Sequence, residues 1–277
     1  MRISLLSPAK LNLFLHILGK RSDGYHELQT LFQLLDYGDH IHFELSDDDT
    51  IVLLPDIAGV SYQDNLIIKA ALALRAKTGI SKGAKIEIEK RLPMGGGLGG
   101  GSSNAATTLI ALNQLWRTGL STEELCEIGL NLGADVPVFI QGRSAWAEGI
   151  GEKLQAVDLP EQWFIVIKPD CHVPTADIFS REELTRDTAA ITVAAFFEQG
   201  GQNDCENVVC RYYPEVDVAL KWLRKYAPAQ LTGTGACIFA TFPNKDVAKN
   251  VLKEVPERWD CFIAKGINHS PAMSLIS

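Results

Sequence analysis

The hydrophobic pattern along the chain separates into short alternating runs and longer stripes of helical period. Runs at residues 2–6, 11–17, 41–45, 51–54 and 85–89 have the alternation of strands. A helix is predicted over 65–78, where Leu66, Ala70, Ala73 and Leu74 share a stripe that Gly79 ends. A second helix follows a glycine cluster. There Ala105, Leu109, Leu112 and Trp116 recur on one face, with Ser102 or Ser103 as the expected N-cap and Gly119 as the stop. A third opens on Ser121, Thr122, Glu123 and Glu124, a capping box ahead of Leu125, Ile128 and Leu132.

The second half restarts with a buried-type strand at 163–167. Helices are predicted near 191–199 and 214–226, then a strand at 238–242, a helix at 246–255 and a strand at 260–264. Strands and helices mix without a βαβ rhythm, which predicts an α+β fold. Residues 142–158 carry no strong period. The expected organisation is therefore two lobes, 1–152 and 153–277, with a cleft between them.

Composition narrows the function classes. Hydrophobic residues are 46% and charged residues 22%, ordinary globular usage. Twenty-six basic against thirty-four acidic side chains leave a net charge of −8. Such a chain lacks the positive footprint that nucleic acid or an anionic membrane requires, so neither is expected as a partner. A small anion in one locally positive pocket remains compatible. The six cysteines show no C-x-x-C spacing and read as reduced thiols of a cytoplasmic protein. Pro8, Lys10, Asn12 and His16 interrupt the first apolar stretch, against a signal peptide, and no transmembrane run is seen. No protein partner is implied.

The most informative segment is Pro93, Met94, Gly95, Gly96, Gly97, Leu98, Gly99, Gly100, Gly101, Ser102 and Ser103. Glycines at this density let backbone N–H groups turn inward beside a helix N-terminus, an arrangement that suits a polyphosphate. Gly95, Gly97 and Gly100 formally satisfy the dinucleotide fingerprint. However, the strand before them alternates Lys85, Ile86, Glu87, Ile88, Glu89, and no acidic residue lies between Ser102 and Thr122. A Walker A loop would end in Gly-Lys-Ser/Thr, and this loop does not.

The loop resembles the phosphate loop of the GHMP kinase superfamily, which includes galactokinase, homoserine kinase and mevalonate kinase. Two further segments resemble that superfamily in the same order: Ser7-Pro8-Ala9-Lys10-Leu11-Asn12 near the start, and Leu231 to Cys237 near the end. The extra glycines, the stretch from Arg21 to Leu28 and the stretch from Gly133 to Phe139 are similar to one branch. That branch phosphorylates a tertiary hydroxyl of a cytidine diphosphate-linked polyol in isoprenoid precursor synthesis. Homoserine or mevalonate is the alternative kind of acceptor. The resemblance implies a two-lobed GHMP kinase fold, ATP as phosphoryl donor with Mg²⁺, and a small-molecule polyol as partner.

Residue roles follow from the same resemblance. By sequence alone Asp135 reads as a helix N-cap as readily as a base; the resemblance makes it the general base. Lys10, a cation in an apolar strand, has either a solvent-facing head or a task, and the resemblance sets it beside the base. Asn12, Tyr25, His26 and Phe179 are the implied substrate contacts, with Phe179 as the stacking face opposite Tyr25 and His26. Asn65 and Lys90 join the glycine loop on the ATP side. No carboxylate pair with metal spacing is seen, and Ser102 or Ser103 with the phosphates is left to hold Mg²⁺.

Overall fold

The computed structural model describes residues 2–275. Its strands are β1 (Arg2–Lys20), β2 (His26–Leu45), β3 (Ile51–Leu54), β4 (Ala84–Glu89), β5 (Ala145–Gly149), β6 (Lys153–Ala156), β7 (Trp163–Lys168), β8 (Ala229–Leu231), β9 (Ile238–Phe242) and β10 (Asp260–Ile267). The helices are α1 (Leu66–Thr78), α2 (Gly100–Trp116), α3 (Thr122–Leu132), α4 (Val136–Gln141), α5 (Thr175–Ser180), α6 (Val193–Gln199), α7 (Glu206–Tyr212), α8 (Pro214–Leu223) and α9 (Lys245–Leu252). A 3₁₀ turn at Pro271–Leu275 follows β10.

One hairpin organises the molecule. The two strand runs read at 2–6 and 11–17 belong to a single 19-residue strand, β1. It pairs antiparallel along its length with β2, a 20-residue strand of which the sequence reading had only the end at 41–45. The other edge of β2 is shared by β5 at residues 28–32, β10 at 34–35 and β4 at 40–45. Polar Gln29, Thr30, Gln33 and Asp39 interrupt the alternation of β2, yet all four are buried. They remain there because each finds a partner. Gln33, for example, donates to Ser144 Oγ and to the Ile267 carbonyl.

The ladder shifts register between Pro8 and Lys10. Proline has no N–H to donate there, and the strand bends. Beyond the bend β1 turns its outer edge to new acceptors: Lys10 N–H to Leu98 O at 3.0 Å and Leu15 N–H to Gln202 O at 2.9 Å. Thus β1 is held by β2 on one side and by loops from both halves of the chain on the other.

Two hydrophobic cores flank this spine. The first packs α1, α2, α3 and α4 on β1, β2 and β4, with Phe43, Leu109 and Trp116 among its buried members. Helix α2 is buried almost all round, which its run of small residues Ala105, Ala106 and Ala111 permits. The second packs α7, α8 and α9 on β7, β8 and β9, with Ile165, Leu220 and Ile238. Gly266 and Ile267 of β10 pair with Leu35 and Leu34, so the sheet runs continuously from one core to the other. The hairpin of β5 and β6 spans residue 152, where the sequence reading divides the lobes. The strand before the glycine loop, expected to be antiparallel, is antiparallel to β2 on one edge and parallel to β3 on the other. The cysteines are free thiols, and burial pushes those of Cys205 and Cys237 up to about 12. No helix among the described residues is long and apolar enough to cross a membrane.

His16 lies on β1 between the two cores. It is buried, with Nδ1 unpartnered among the described residues, and its ring meets Phe14 edge-on at 4.9 Å. Burial pushes it below its ordinary value of 6.5, against the weaker opposing pull of the Asp204 carboxylate. A histidine kept neutral by folding binds its proton more readily when unfolded. Its stabilising contribution is therefore full above the unfolded value and is lost as pH falls below it. Denaturant midpoints should drop between about pH 7.5 and about pH 5.5, and His16→Gln should shrink that drop. An equal drop in both proteins would contradict this reading.

Candidate active site

The glycine loop is fixed from one side only. The carbonyls of Gly95 and Gly96 accept from the N–H groups of Ala236 and Cys237, at 3.4 and 3.2 Å. The Gly97 carbonyl accepts from Thr232 Oγ1 at 3.4 Å, and that of Leu98 from the Lys10 N–H at 3.0 Å. Across a trans peptide the next N–H points the opposite way. With these four carbonyls turned into the protein, the N–H groups of residues 96–99 face outward. None of them, nor those of 100–102 in the first turn of α2, donates to a described residue. The sequence reading had Ser102 or Ser103 capping α2. The N-cap is instead Gly99 in the left-handed region, with no side-chain cap, and both serines lie inside the helix. The helix end thus stays open, with no acidic residue in its first turn to offset the positive pole of its dipole.

Two of these glycines are required on steric grounds. Gly97 has φ +75°, and a Cβ there would stand 2.3 Å from the Thr232 carbonyl oxygen. Gly99 has φ +70°, and its Cβ would meet the Phe139 ring at 2.8 Å and Lys10 Cγ at 3.1 Å. The segment ahead of the loop is anchored by Asp39, a residue the sequence reading passed over. Its fully buried carboxylate accepts from the Arg91 and Leu92 N–H groups at 2.8 Å each and from Asn104 Nδ2 at 2.9 Å. It also pairs with Lys90 Nζ at 3.0 Å. Its one legible signal is a charge within a strand, and a buried charge needs partners.

Lys10 and Asp135 meet. Lys10 Nζ lies 3.3 Å from Asp135 Oδ2, with side-chain exposures of 4% and 32%. The ammonium also donates to Asn12 Oδ1 at 2.6 Å and stands over the Phe32 ring at 5.2 Å. The ammonium has three N–H bonds and one described hydrogen-bond acceptor, Asn12, and its side chain lines the larger cavity described below. Asp135 occupies the N-cap position of α4, yet its side chain makes no capping bond. The carboxylate is thereby available to Lys10 and the cavity. Asn12 is positioned in turn: its Nδ2 donates to Thr30 Oγ1 at 2.9 Å, and its N–H to Thr232 Oγ1 at 3.0 Å.

Two cavities meet at the loop. The larger, about 760 Å³, is lined by Lys10, Asn12 and Asp135, and further out by Tyr25, His26 and Phe179. The smaller, about 390 Å³, lies between Asn65, Lys90, Pro93 and the glycines. Gly97, Gly99 and Ser102 line both. Ser102 has a hydroxyl with no described hydrogen-bond partner. Ser103 is buried and takes the Ser7 hydroxyl at 2.8 Å. Asn65 caps α1 through Oδ1, which accepts from the Ile67 N–H at 2.9 Å. The charge of Lys90 is committed to Asp39, so both residues shape the smaller cavity as much as they face it.

The aromatic end differs from expectation in one respect. His26 and Phe179 stack on one another at 4.9 Å between ring centres, which leaves no gap for a third ring. A ligand ring has to stack on a face outside this pair; Tyr25, on the same cavity wall, is 60% exposed. Burial, and then the cations of Arg186 and Lys20, hold His26 below its ordinary value.

Comparison with known proteins adds to this geometry. The GHMP kinases N terminal domain matches residues 65–143, and the GHMP kinases C terminal family matches residues 184–261. A 4-diphosphocytidyl-2-C-methyl-D-erythritol kinase of Hahella chejuensis is 55% identical over 283 residues, covering 98% of this chain and 96% of the relative. The chain belongs to the 4-diphosphocytidyl-2-C-methyl-D-erythritol kinase family, within the GHMP kinases. A crystal structure of 4-(cytidine 5'-diphospho)-2C-methyl-D-erythritol kinase is similar with a TM-score of 0.86 at 30% identity. That match covers 96% of this chain and all of the other. A homoserine kinase from Cytophaga hutchinsonii has a TM-score of 0.69 at 17% identity, covering 98% and 96%, and shares the fold alone. The family's two-lobed fold accounts for the two cores and for the cleft between them, where residues of β1 and of the turn before α4 face residues of α5 and the 232–235 turn.

Gly97→Ala tests the loop geometry. Left-handed strain alone costs about 1–3 kcal/mol at a non-glycine residue, and the contact with Thr232 adds to it. The substituted protein should melt earlier and bind a non-hydrolysable ATP analogue at least about tenfold more weakly by calorimetry. Unchanged affinity would contradict the assignment of these N–H groups to an anion.

Proposed function

We propose that this chain transfers the γ-phosphate of ATP to the 2-hydroxyl of 4-diphosphocytidyl-2-C-methyl-D-erythritol, a step of the non-mevalonate isoprenoid precursor pathway. The observation that carries the reading is the junction at Gly97, Gly99 and Ser102, where the two cavities meet beside the pair of Lys10 and Asp135. Phosphoryl transfer needs a held triphosphate, an alcohol in line with it, positive charge around the transferring group and a destination for the proton. The outward N–H groups of residues 96–102 and the open end of α2 suit the triphosphate. The smaller cavity suits the nucleoside, with Asn65 and Lys90 on its wall. In the larger one the polyol hydroxyl lies by Asp135, with Asn12 beside it, and the cytidine end reaches Tyr25, His26 and Phe179. We place the lobe division after β6 and not at 152, because β5 and β6 are hydrogen-bonded neighbours.

In this reading Asp135 accepts the proton of the attacking hydroxyl. The hydroxyl oxygen forms a bond to the γ-phosphorus as the bond to the bridging oxygen of ADP breaks. The Lys10 ammonium stands by to offset the charge that develops on the attacking oxygen and on the phosphoryl group. Mg²⁺ suits a site of this chemistry. No group of three or more His, Cys, Asp or Glu side chains placed to hold a metal ion occurs among the described residues, while the Ser102 hydroxyl is uncommitted. An ion held chiefly by phosphate oxygens and water, with Ser102 beside it, fits that donor set. When bound, it offsets the negative charge of the phosphates.

Three measurements check the reading. ADP release should be rapid with the cytidylated polyol and at background with homoserine or mevalonate. Release with either of those instead would overturn the substrate assignment. Asp135→Asn should lower kcat by about 10²–10⁴-fold with little change in either KM, and unchanged turnover would remove Asp135 as base. Phe179→Ala should raise the KM of the cytidylated substrate about 5- to 150-fold while kcat holds, the value of one stacking face. An effect confined to the KM of ATP would contradict it.

A further inference from the structure

The aromatic wall is held by a residue that no sequence pattern singles out. Arg186 lies in the irregular segment between α5 and α6 and engages all five N–H donors of its guanidinium. Nε donates to His26 Nε2 at 3.2 Å. One Nη donates to the Glu182 and Leu184 carbonyls at 3.4 and 3.0 Å, and the other to those of Phe179 and Arg181 at 2.9 and 2.6 Å. A single side chain therefore ties the backbone of Phe179 to the ring of His26, the two that stack at 4.9 Å.

This contact decides the chemistry of His26. A guanidinium has no acceptor and keeps its proton, so the nitrogen it touches must present a lone pair. In the neutral imidazole the proton is then on Nδ1. Nδ1 has no described hydrogen-bond partner, and His26 lines the larger cavity beside Tyr25. The wall thus offers a ring N–H donor to whatever base edge stands there. Cytosine and uracil differ at that kind of contact: N3 of cytosine accepts a hydrogen bond, whereas N3 of uracil carries a hydrogen.

We propose that Arg186 is the positioning residue that fixes His26 as the Nδ1–H tautomer and so selects cytosine over uracil at the nucleotide end of the acceptor cavity. The proposal rests on the reading that this cavity takes a cytidine diphosphate group. With the other tautomer, a lone pair on Nδ1 would oppose the lone pair on cytosine N3 and would accept from uracil.

The test has two arms. In ¹⁵N-histidine-labelled wild-type protein, with His26 assigned by His26→Gln, NMR should show a protonated Nδ1 and an unprotonated Nε2. This reading needs no change to the wall. In the second arm, kcat/KM is measured for the cytidylated polyol and its uridine counterpart. Arg186→Met should lower the cytidine-to-uridine ratio at least about tenfold, mainly through the KM of the cytidine substrate, and return His26 to the Nε2–H form. Arg186→Lys, which keeps one donor for Nε2, should recover part of the ratio. A purely structural role would weaken both substrates alike and leave the ratio unchanged, which overturns the proposal. So does an Nε2–H signal in the wild-type protein. Should the wild-type protein turn over neither nucleotide substrate, the functional reading fails, and the NMR arm then decides the tautomer assignment alone.

Discussion

A buried ammonium needs partners, and at position 10 that requirement ties the site together. Lys10 is almost wholly removed from water on β1, a strand paired with β2 on one edge and covered by loops on the other. Leaving such a charge uncompensated costs several kcal/mol. Its side chain is answered by Asp135 at the start of α4, by Asn12 two residues along and by the face of Phe32. Its backbone N–H meanwhile holds the Leu98 carbonyl and so one end of the glycine loop. One residue therefore sets both the loop that faces outward with its N–H groups and the carboxylate that stands across from it. Thr232 closes the circuit from the other half of the chain, through Asn12 N–H on one side and Gly97 O on the other.

The division of labour follows from which groups are already satisfied. Ser7 of β1 bonds to Ser103 and Asn104 of α2, and Asp39 absorbs Lys90 and the backbone ahead of the loop. What is left without a described protein partner is concentrated where the cavities meet: the N–H groups of 96–102 and the Ser102 hydroxyl, with the Lys10 ammonium on the same cavity wall. A helix capped by its own serine would have satisfied part of that set internally. Gly99 at the cap leaves it available, at the cost of the conformational freedom that glycine loses on folding.

The features legible in the sequence were those with local physics. The capping box of α3 at Ser121 and Glu124, the end of α1 at Gly79 and the one-face burial of β4 are each set by near neighbours. The glycine density and the lysine in an apolar run flagged the loop and Lys10 for the same reason. Most of β2 was not legible. Its Gln29, Thr30, Gln33 and Asp39 break the period of a half-buried strand, and their partners come from β5, β10 and the segment at 90–92, far away in the chain. Arg186 was hidden likewise, since an arginine in a segment without period reads as a solvated surface residue. Only the coordinates bring it to four carbonyls and a histidine. The α2 cap differs because serine before a helix is the better local choice, while the long-range bonds from Ala236, Cys237, Thr232 and Lys10 that fix the loop carbonyls place Gly99 at the cap.

The central claim is spatial: one junction, at the glycine loop, serves both substrates. A crystal structure with a non-hydrolysable ATP analogue and the cytidylated polyol tests it most directly. The account predicts the terminal phosphate over the N–H groups of residues 96–102, and the acceptor hydroxyl within hydrogen-bond reach of Asp135 and Lys10. A triphosphate bound away from that loop, or an acceptor hydroxyl out of reach of both side chains, would contradict it.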